Sequence, residues 1–416
     1  MSFGPDPFLV DAVPRVITGE AWDELAAGLQ QRVRALNAFV ADAYGERRIV
    51  AAAVVPASLI DEAEGYEPDL QGRLPAMPAP VAVAGLDVVC DEHGTLRVLE
   101  DNCRTPSGYC YAGATRRAVR ETLGLDAPAP RDIGAPLRDL LGRALRDLLG
   151  RALRDATPRG VSDPFSVVLS EGPGTATAWE HEHIAELTGA QLVVLDDLRL
   201  RDGRVVDRDG RRVDVIHRRS DENSLRDEAG ELTATARIVL EPWLAGRVGL
   251  VNAFGTGIAD DKLAHAYVPD MVRFYLGEEP LLESVRTLDL GKPETVDEVL
   301  GDLREYVIKP RSGEGGRGVV VCAHADDETL AEVAEALRSE PQCYIAQHTI
   351  SLSEHPTITP EGRLEPRHID LRPFIFSGDG WTEALPGGLT RVALERGTLV
   401  VNSSQHGGGK DTWVLF

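Results

Sequence analysis

Apolar positions recur at three- and four-residue intervals through TGEAWDELAAGLQQRVRALNAFVADAYG, residues 18–45. This spacing predicts a long amphipathic helix with Thr18 as its N-cap and Gly45 at its stop. The pattern then shortens. PAPVAVAGLDVVC (78–90) and GTLRVLEDN (94–102) read as two strands joined by the turn segment DEHG. LRDLLGRALRDLLGRALRDA, residues 137–156, repeats the octad LRDLLGRA and reads as a helix with mixed charge outside, a local duplication that lengthens a helix or linker. FSVVLSEGP, TATAWEHEHIAELTG and AQLVVLDDLRL come next as strand, helix and strand, one βαβ unit over residues 164–200. The last third mixes two helices (KLAHAYVPDMVRFYLG, ETLAEVAEALRSE) with the strands EYVIKP, GVVVCA, CYIAQHTI, RHIDLRPFIFSG and TLVVNS.

The predicted class is therefore α/β (α+β). Four segments are expected: 1–136, a helical repeat or linker at 137–160, a βαβ domain at 161–245, and 246–416. A 416-residue chain, 43% hydrophobic and 27% charged, has the composition of a globular protein with a large core. No apolar run approaches the roughly 18 residues of a membrane span. The acid- and proline-bearing start MSFGPDPFLVDAVPR lacks the pattern of a signal peptide, so a cytoplasmic protein with no membrane partner is expected. Cys90, Cys103, Cys110, Cys322 and Cys343 form no CxxC pair; free thiols are expected rather than disulfides or zinc. A net charge of −23 with no basic stripe repels phosphate backbones and argues against a nucleic-acid partner. It also makes any basic residue beside glycines a candidate local anion site.

One such place is YVIKPRSGEGGRGVVV, residues 306–321. A strand delivers Lys309, and a loop bearing Gly313, Gly315, Gly316 and Gly318 comes after it. Glycines let backbone N–H groups face an anion, and lysine supplies a point charge for phosphate. A flexible hairpin loop is the alternative. The second is LDVVCDEHGTLRVLEDNCRTPSG, residues 86–108. With DEHG as the turn, Cys90 is expected opposite Thr95 and Asp87 opposite Val98, which leaves Asp87 diagonal to Glu100. Strand alternation then puts Asp87, Glu100 and Asn102 on one face, with Arg104 two residues further. Two carboxylates and an amide oxygen suit a hard cation such as Mg²⁺; a hairpin with incidental acids is the alternative.

Together the Glu100–Asn102–Arg104 run, Asp87 thirteen positions earlier, and Lys309 with its glycine loop resemble the ATP-grasp ligases. The resemblance implies ATP and Mg²⁺ as cofactors, with Asp87, Glu100 and Asn102 at the metal. It makes Lys262, in GIADDKLAHAYVP, an earlier ATP-contacting lysine, and Gln347, in CYIAQHTI, a hinge residue beside the adenine. It brings Arg372, in RHIDLRPF, toward the phosphates. The acidic segment here precedes the lysines, the reverse of the usual order. The chain is thus similar to the circularly permuted ATP-grasp family, with which LEDNCRTPSG, VDVIHRRSDE, DLRPF and the HGGGK-containing ending also agree. The activity this resemblance implies is that of a ligase joining a small-molecule or peptide carboxylate to an amine through an acyl phosphate. It also implies that Arg104 and Arg372 are catalytic and that the βαβ unit is similar to a pre-ATP-grasp domain. A nucleotide-binding partner protein with little turnover, or a phosphotransferase, are the alternatives. Arg218 and Arg219 are candidates for a substrate carboxylate or phosphate, against surface salt bridges. His181 and His183 point to different helix faces and make a poor metal pair. HGGGK, residues 406–410, is either a second anion loop or a tight turn.

Overall fold

The computed structural model describes residues 2–3, 6–124, 140–220, 225–313, 316–359, 361–393 and 407–415. Past the short paired segments Ser2–Phe3 and Asp6–Pro7 come β1 (Val10–Thr18) and the 25-residue helix α1 (Gly19–Ala43). The Thr18 hydroxyl accepts from Ala21 N, the N-cap expected from the sequence. The helical spacing turns Trp22, Leu25, Leu29, Val33, Leu36, Phe39 and Val40 into the core. The hairpin β2 (Val83–Cys90) and β3 (Leu96–Asn102) is next, then α2 (Tyr109–Thr122) and α3 (Leu140–Asp155). The octads therefore do form a helix. Their leucines are core residues: Leu141, Leu145, Leu149 and Leu153 are buried in one cluster with Phe374, Phe376 and Ile184. Outside that stripe, Arg151 lies 4.0 Å over the Trp381 ring.

The βαβ unit is present as β4 (Ser166–Ser170), α4 (Ala178–Thr188) and β5 (Gln191–Val194). With β6 (Val215–Arg218) and β7 (Gly249–Val251) it makes a four-stranded parallel sheet in the order β7-β6-β4-β5. The buried apolar runs of β4, β6 and β7 are what a sheet covered on both faces requires, while the edge strand β5 exposes Gln191 and Leu192. Its residues Val167, Leu169, Val193 and Ile216 share one apolar cluster with α1 and with the hairpin.

After the helix α5 (Lys262–Leu276) comes a small antiparallel sheet: β8 (Thr287–Asp289), β9 (Tyr306–Pro310), β10 (Val320–Val321) and β11 (Tyr344–His348), ordered β8-β11-β9-β10. The helices Pro293–Gly301 and Asp327–Ser339 close a separate small core over it around Val299, Ile308, Leu337 and Ala346. The chain then returns to the hairpin through β12 (Leu364–Arg372), β13 (Phe374–Gly378), β14 (Leu389–Val392) and β15 (Gly408–Leu415). These strands join β1, β2 and β3 in a ten-stranded mixed sheet, in which β12 and β13 both pair with β2 and β15 pairs in parallel with β1. Segments near both ends of the sequence thus share one sheet. The strand expected at TLVVNS, and His406, lie outside the described residues. All five cysteines are free. Among the described residues no helix is long and apolar enough to cross a membrane.

Candidate functional site

The hairpin β2–β3 presents the acidic side of the site, in a register that differs from the expected one. Cys90 pairs with Leu96 rather than Thr95, because Asp91 closes a longer turn: its Oδ1 accepts from His93 N (3.0 Å) and Thr95 N (2.8 Å). Val88 pairs with Val98, and the ladder then skips Leu99, so that Asp87 stands opposite Glu100 instead of Val98. A bulge of this kind restores the facing of the strand. Asp87, Glu100 and Asn102 all line one cavity of about 650 Å³. Asp101, on the other face, is buried and held by Arg32 (2.6 and 2.7 Å) and His265 (2.8 Å).

Behind Asp87 lies a network that residue spacing alone does not reveal. Arg372 donates Nε and Nη2 to its two oxygens (2.5 and 2.8 Å), and Arg391 of β14 adds Nη2 at 2.8 Å. Arg391 also grips Asp370 through Nε at 2.9 Å. Burial works against the charge on Asp87, but the two guanidiniums outweigh it and hold the carboxyl at about 2. Burial keeps the Asp370 carboxyl above its ordinary value. Asp370 and Arg372 alternate on one face of β12, a signal present in DLRPF; Arg391 reaches them only through the β12–β14 pairing.

The basic side comes from the later chain. Asp261 caps α5 by accepting from Leu263 N (2.8 Å), which sets Lys262 at the helix start. Lys262 Nζ donates to Gly313 O (2.6 Å) and lies 3.6 Å from Glu100 Oε1. Lys309 leaves β9 into the same cavity; burial lowers its pKa against the pull of Glu100. Gly313, Gly316 and Gly318 adopt φ of +92°, +74° and +70°, so the loop needs glycine where it turns. Gly313 and Gly316 line the cavity; Gly318 packs against Pro310 instead, and Gly315 lies outside the described residues. Gln347 lines the cavity from β11 and donates to Thr287 Oγ1 (2.9 Å) and to Leu99 O (3.3 Å), tying the small sheet to the bulge.

Arg104 also lines the cavity, 3.7 Å from Asp260. Burial lifts the Asp260 carboxyl to about 6 despite Arg104 and the backbone N–H groups of Cys103 and Arg104. Arg218, the last residue of β6, and Arg219 after it are buried rather than on the surface, at 3% and 4% exposed. Arg219 reaches the cavity, donating to Pro106 O (2.7 Å) beside Glu180 (3.6 Å). Arg218 does not line it; it packs 5.0 Å from the Phe254 ring, and burial lowers its pKa to about 10. Glu180, invisible in sequence within WEHEH, accepts from Gly108 N (2.9 Å) and Cys110 N (3.0 Å) at the start of α2. His181 contacts Ser170 Oγ (2.9 Å) and burial drops its pKa to about 3, while His183 stacks on Trp179. Among the described residues no group of three or more His, Cys, Asp or Glu side chains is arranged for a metal. The HGGGK reading is overturned on both counts. Residues 408–410 are β-strand, and Lys410 is fully buried, donating to Asp11 (2.7 Å) and Pro356 O (3.0 Å).

Among the described residues, eight lysines and arginines and six carboxylates line the cavity, an excess of positive charge inside a protein of net charge −23. Such a pocket favours an anionic ligand that carries its own cation.

The chain is 41% identical over 415 residues to an uncharacterized protein of Mycobacterium tuberculosis, covering 98% of this chain and 74% of that one. It is 39% identical to an uncharacterized Synechocystis protein, covering 98% and 84%. It is also 43% identical to a Frankia casuarinae protein provisionally named glutamate–cysteine ligase 2-2, where the match covers 98% of this chain and 47% of the relative. The sequence model described as "Circularly permuted ATP-grasp type 2" matches residues 14–393, and the chain belongs to that family.

Proposed function

We propose that the protein is an ATP- and Mg²⁺-dependent ligase that joins a carboxylate to an amine through an acyl phosphate. One observation carries the reading: Lys262 Nζ lies 3.6 Å from Glu100, in a cavity that also holds Asn102, Lys309 and Arg372. Acids from the early hairpin and ammonium groups from the late segment thus meet where a metal-bound triphosphate needs both. Glu100 and Asn102 fit the metal. Their donor types suit it: Asn102 can offer its amide Oδ1 and Glu100 a carboxylate that faces Lys262 beyond hydrogen-bond distance, both on the cavity wall. Asp87 assists, with its oxygens already serving Arg372 and Arg391. Mg²⁺, when bound, supplies charge neutralisation at the phosphates.

Lys262 and Lys309 bind phosphate oxygens, and the loop bearing Gly313 and Gly316 covers them and excludes water. Gln347 stands on the adenine side. Arg104 and Arg372 orient the substrate carboxylate for attack on the γ-phosphate, and then stabilise the oxyanion as the amine displaces phosphate. This chemistry rests on positioning and electrostatics, without a protein nucleophile. Arg219 is the substrate-binding residue. The parallel sheet that delivers it serves as the pre-ATP-grasp-like unit. The name of the Frankia relative is consistent with ligase chemistry, although it describes a chain of which 47% is matched. The excess of acidic residues and the free thiols favour work in the cytoplasm on small-molecule or peptide substrates.

The test is incubation with MgATP, a panel of carboxylic and amino acids, and hydroxylamine as the trapping amine. ADP release coupled to hydroxamate formation is expected. A stable phosphorylated acceptor would make the protein a phosphotransferase, and nucleotide binding without turnover across the panel would make it a binding partner only.

A further inference from the structure

The cavity extends beyond the nucleotide residues to an end built from other elements. Thr175 and Thr177 at the start of α4, His181 one turn later, Tyr111 of α2 and Arg219 wall it. The 11-residue helix α4 turns its N-terminus, the positive end of its dipole, toward this space. Arg219 supplies an independent indication of a ligand. It is 4% exposed, its Nη1 is spent on Pro106 O, its Nη2 lies 3.6 Å from Glu180, and its buried Nε has no hydrogen-bond partner among the described residues. The neighbouring Glu180 carboxylate is taken up by Gly108 N and Cys110 N. Burial keeps His181 neutral, so it adds no charge beside Arg219, whose own counter-charge is Glu180 at 3.6 Å. A planar guanidinium with an uncommitted nitrogen suits a carboxylate.

The placement of Arg219 relative to Arg372 sets an upper limit on the length of the ligand. Arg219 Nη1 is 2.7 Å from Pro106 O and Arg372 Nη1 is 3.4 Å from Ser107 O, the next carbonyl along the chain. Adjacent carbonyl oxygens and two hydrogen bonds allow at most roughly 11 Å between the two guanidiniums. A five-carbon dicarboxylate, about 5 Å between its carboxyl carbons, is of a length compatible with that limit.

We propose that this end of the cavity is a carboxylate subsite, and that the acid to be activated is a short dicarboxylate. One carboxyl group lies beside Arg372 at the phosphates; the other is held by Arg219 and the start of α4. The assignment of the activated end rests on the ligase reading above, whereas the subsite itself does not.

The test is calorimetric titration of the full chain with glutarate and with pentanoate, its monocarboxylate match in length, in the presence and absence of Mg²⁺ and a non-hydrolysable ATP analogue. Glutarate is expected to bind at least about tenfold more tightly than pentanoate, and Arg219→Ala to abolish the preference while Arg219→Lys keeps part of it. Equal affinities, or no binding of either acid in both conditions, overturn the subsite. If Arg219→Ala lacks a cooperative melting transition, the wild-type comparison decides alone. A glutarate preference without any nucleotide binding sinks the ligase reading and leaves the subsite standing.

Discussion

Asp101 lies between Glu100 and Asn102 but on the face of β3 turned away from the cavity, so replacing it by asparagine tests how the acidic side is held in place. The carboxylate is 3% exposed and takes a bidentate pair from Arg32, itself 4% exposed, at 2.6 and 2.7 Å. Asparagine cannot accept both bonds and leaves a buried guanidinium without a counter-ion. Removing one partner of a buried pair costs about 3–5 kcal/mol. With an unfolding entropy of about 2.1 cal/mol/K per residue, the 416-residue chain loses roughly 0.9 kcal/mol per degree, so Tm falls by about 3–6 °C if it unfolds as one unit. Scanning calorimetry of Asp101→Asn at pH 7 measures this. Burial opposes the charge on Asp101, but Arg32 first and His265 second hold its pKa below the usual carboxylate range. A depressed folded-state pKa gives stability that is present above the unfolded value of about 4 and is lost as the pH falls below it. The gap between wild type and variant should therefore close on acidification. A Tm within about 1 °C of wild type at pH 7, or a gap that ignores pH, would refute the reasoning.

Other outcomes depend on single residues. Lys309→Ala should weaken MgATP binding by at least about tenfold in calorimetry, and Glu100→Ala should abolish Mg²⁺-dependent turnover in the hydroxamate assay. Leu149→Ala, at a fully buried octad position, should cost about 2–5 kcal/mol in denaturant unfolding; a change below about 0.5 kcal/mol would place the octad helix outside the core. Gly65→Ala would drive a Cβ into the Gly257 backbone at the cavity wall, and should lower both Tm and nucleotide affinity. Burial raises the Glu67 carboxyl to about 7, against the Leu225 N–H bonds it accepts. A raised folded-state pKa gives stability that is present below the unfolded value of about 4.5 and is lost as pH rises through 7. Wild type should accordingly lose up to about 3 kcal/mol relative to Glu67→Gln across that interval in pH-dependent unfolding.

Much of the site was legible because its parts are local. Glu100 and Asn102 alternate on one strand with Arg104 just past its end, and Lys309 precedes its own glycine loop, so period and composition were enough to pick them out. Helix α1 was equally plain, since its cap and its apolar stripe lie within one segment. What failed depended on contacts distant in sequence. The hairpin register slipped by one because Asp91 organises a longer turn, and the bulge at Leu99 then returned Asp87 to Glu100. HGGGK read as a loop because its glycines suggest one; pairing of residues 408–410 with β1 and β14, with Lys410 on Asp11, makes it strand. Arg218 and Arg219 are adjacent, yet opposite facing at the end of β6 sends one into the core and the other into the cavity. Glu180 and Arg391 gave no signal at all, since their roles arise from helix packing and strand pairing.

The proposed chemistry stands on the early hairpin and the late lysines acting on one metal-bound nucleotide, and a double-mutant cycle measures that coupling. MgATP affinity is determined calorimetrically for wild type, Glu100→Gln, Lys309→Met and the double variant. Losses that are not additive are expected, with a coupling of more than about 1 kcal/mol between two residues joined through the same ligand. Additivity within about 0.5 kcal/mol, or a wild-type protein that binds no MgATP, would contradict it.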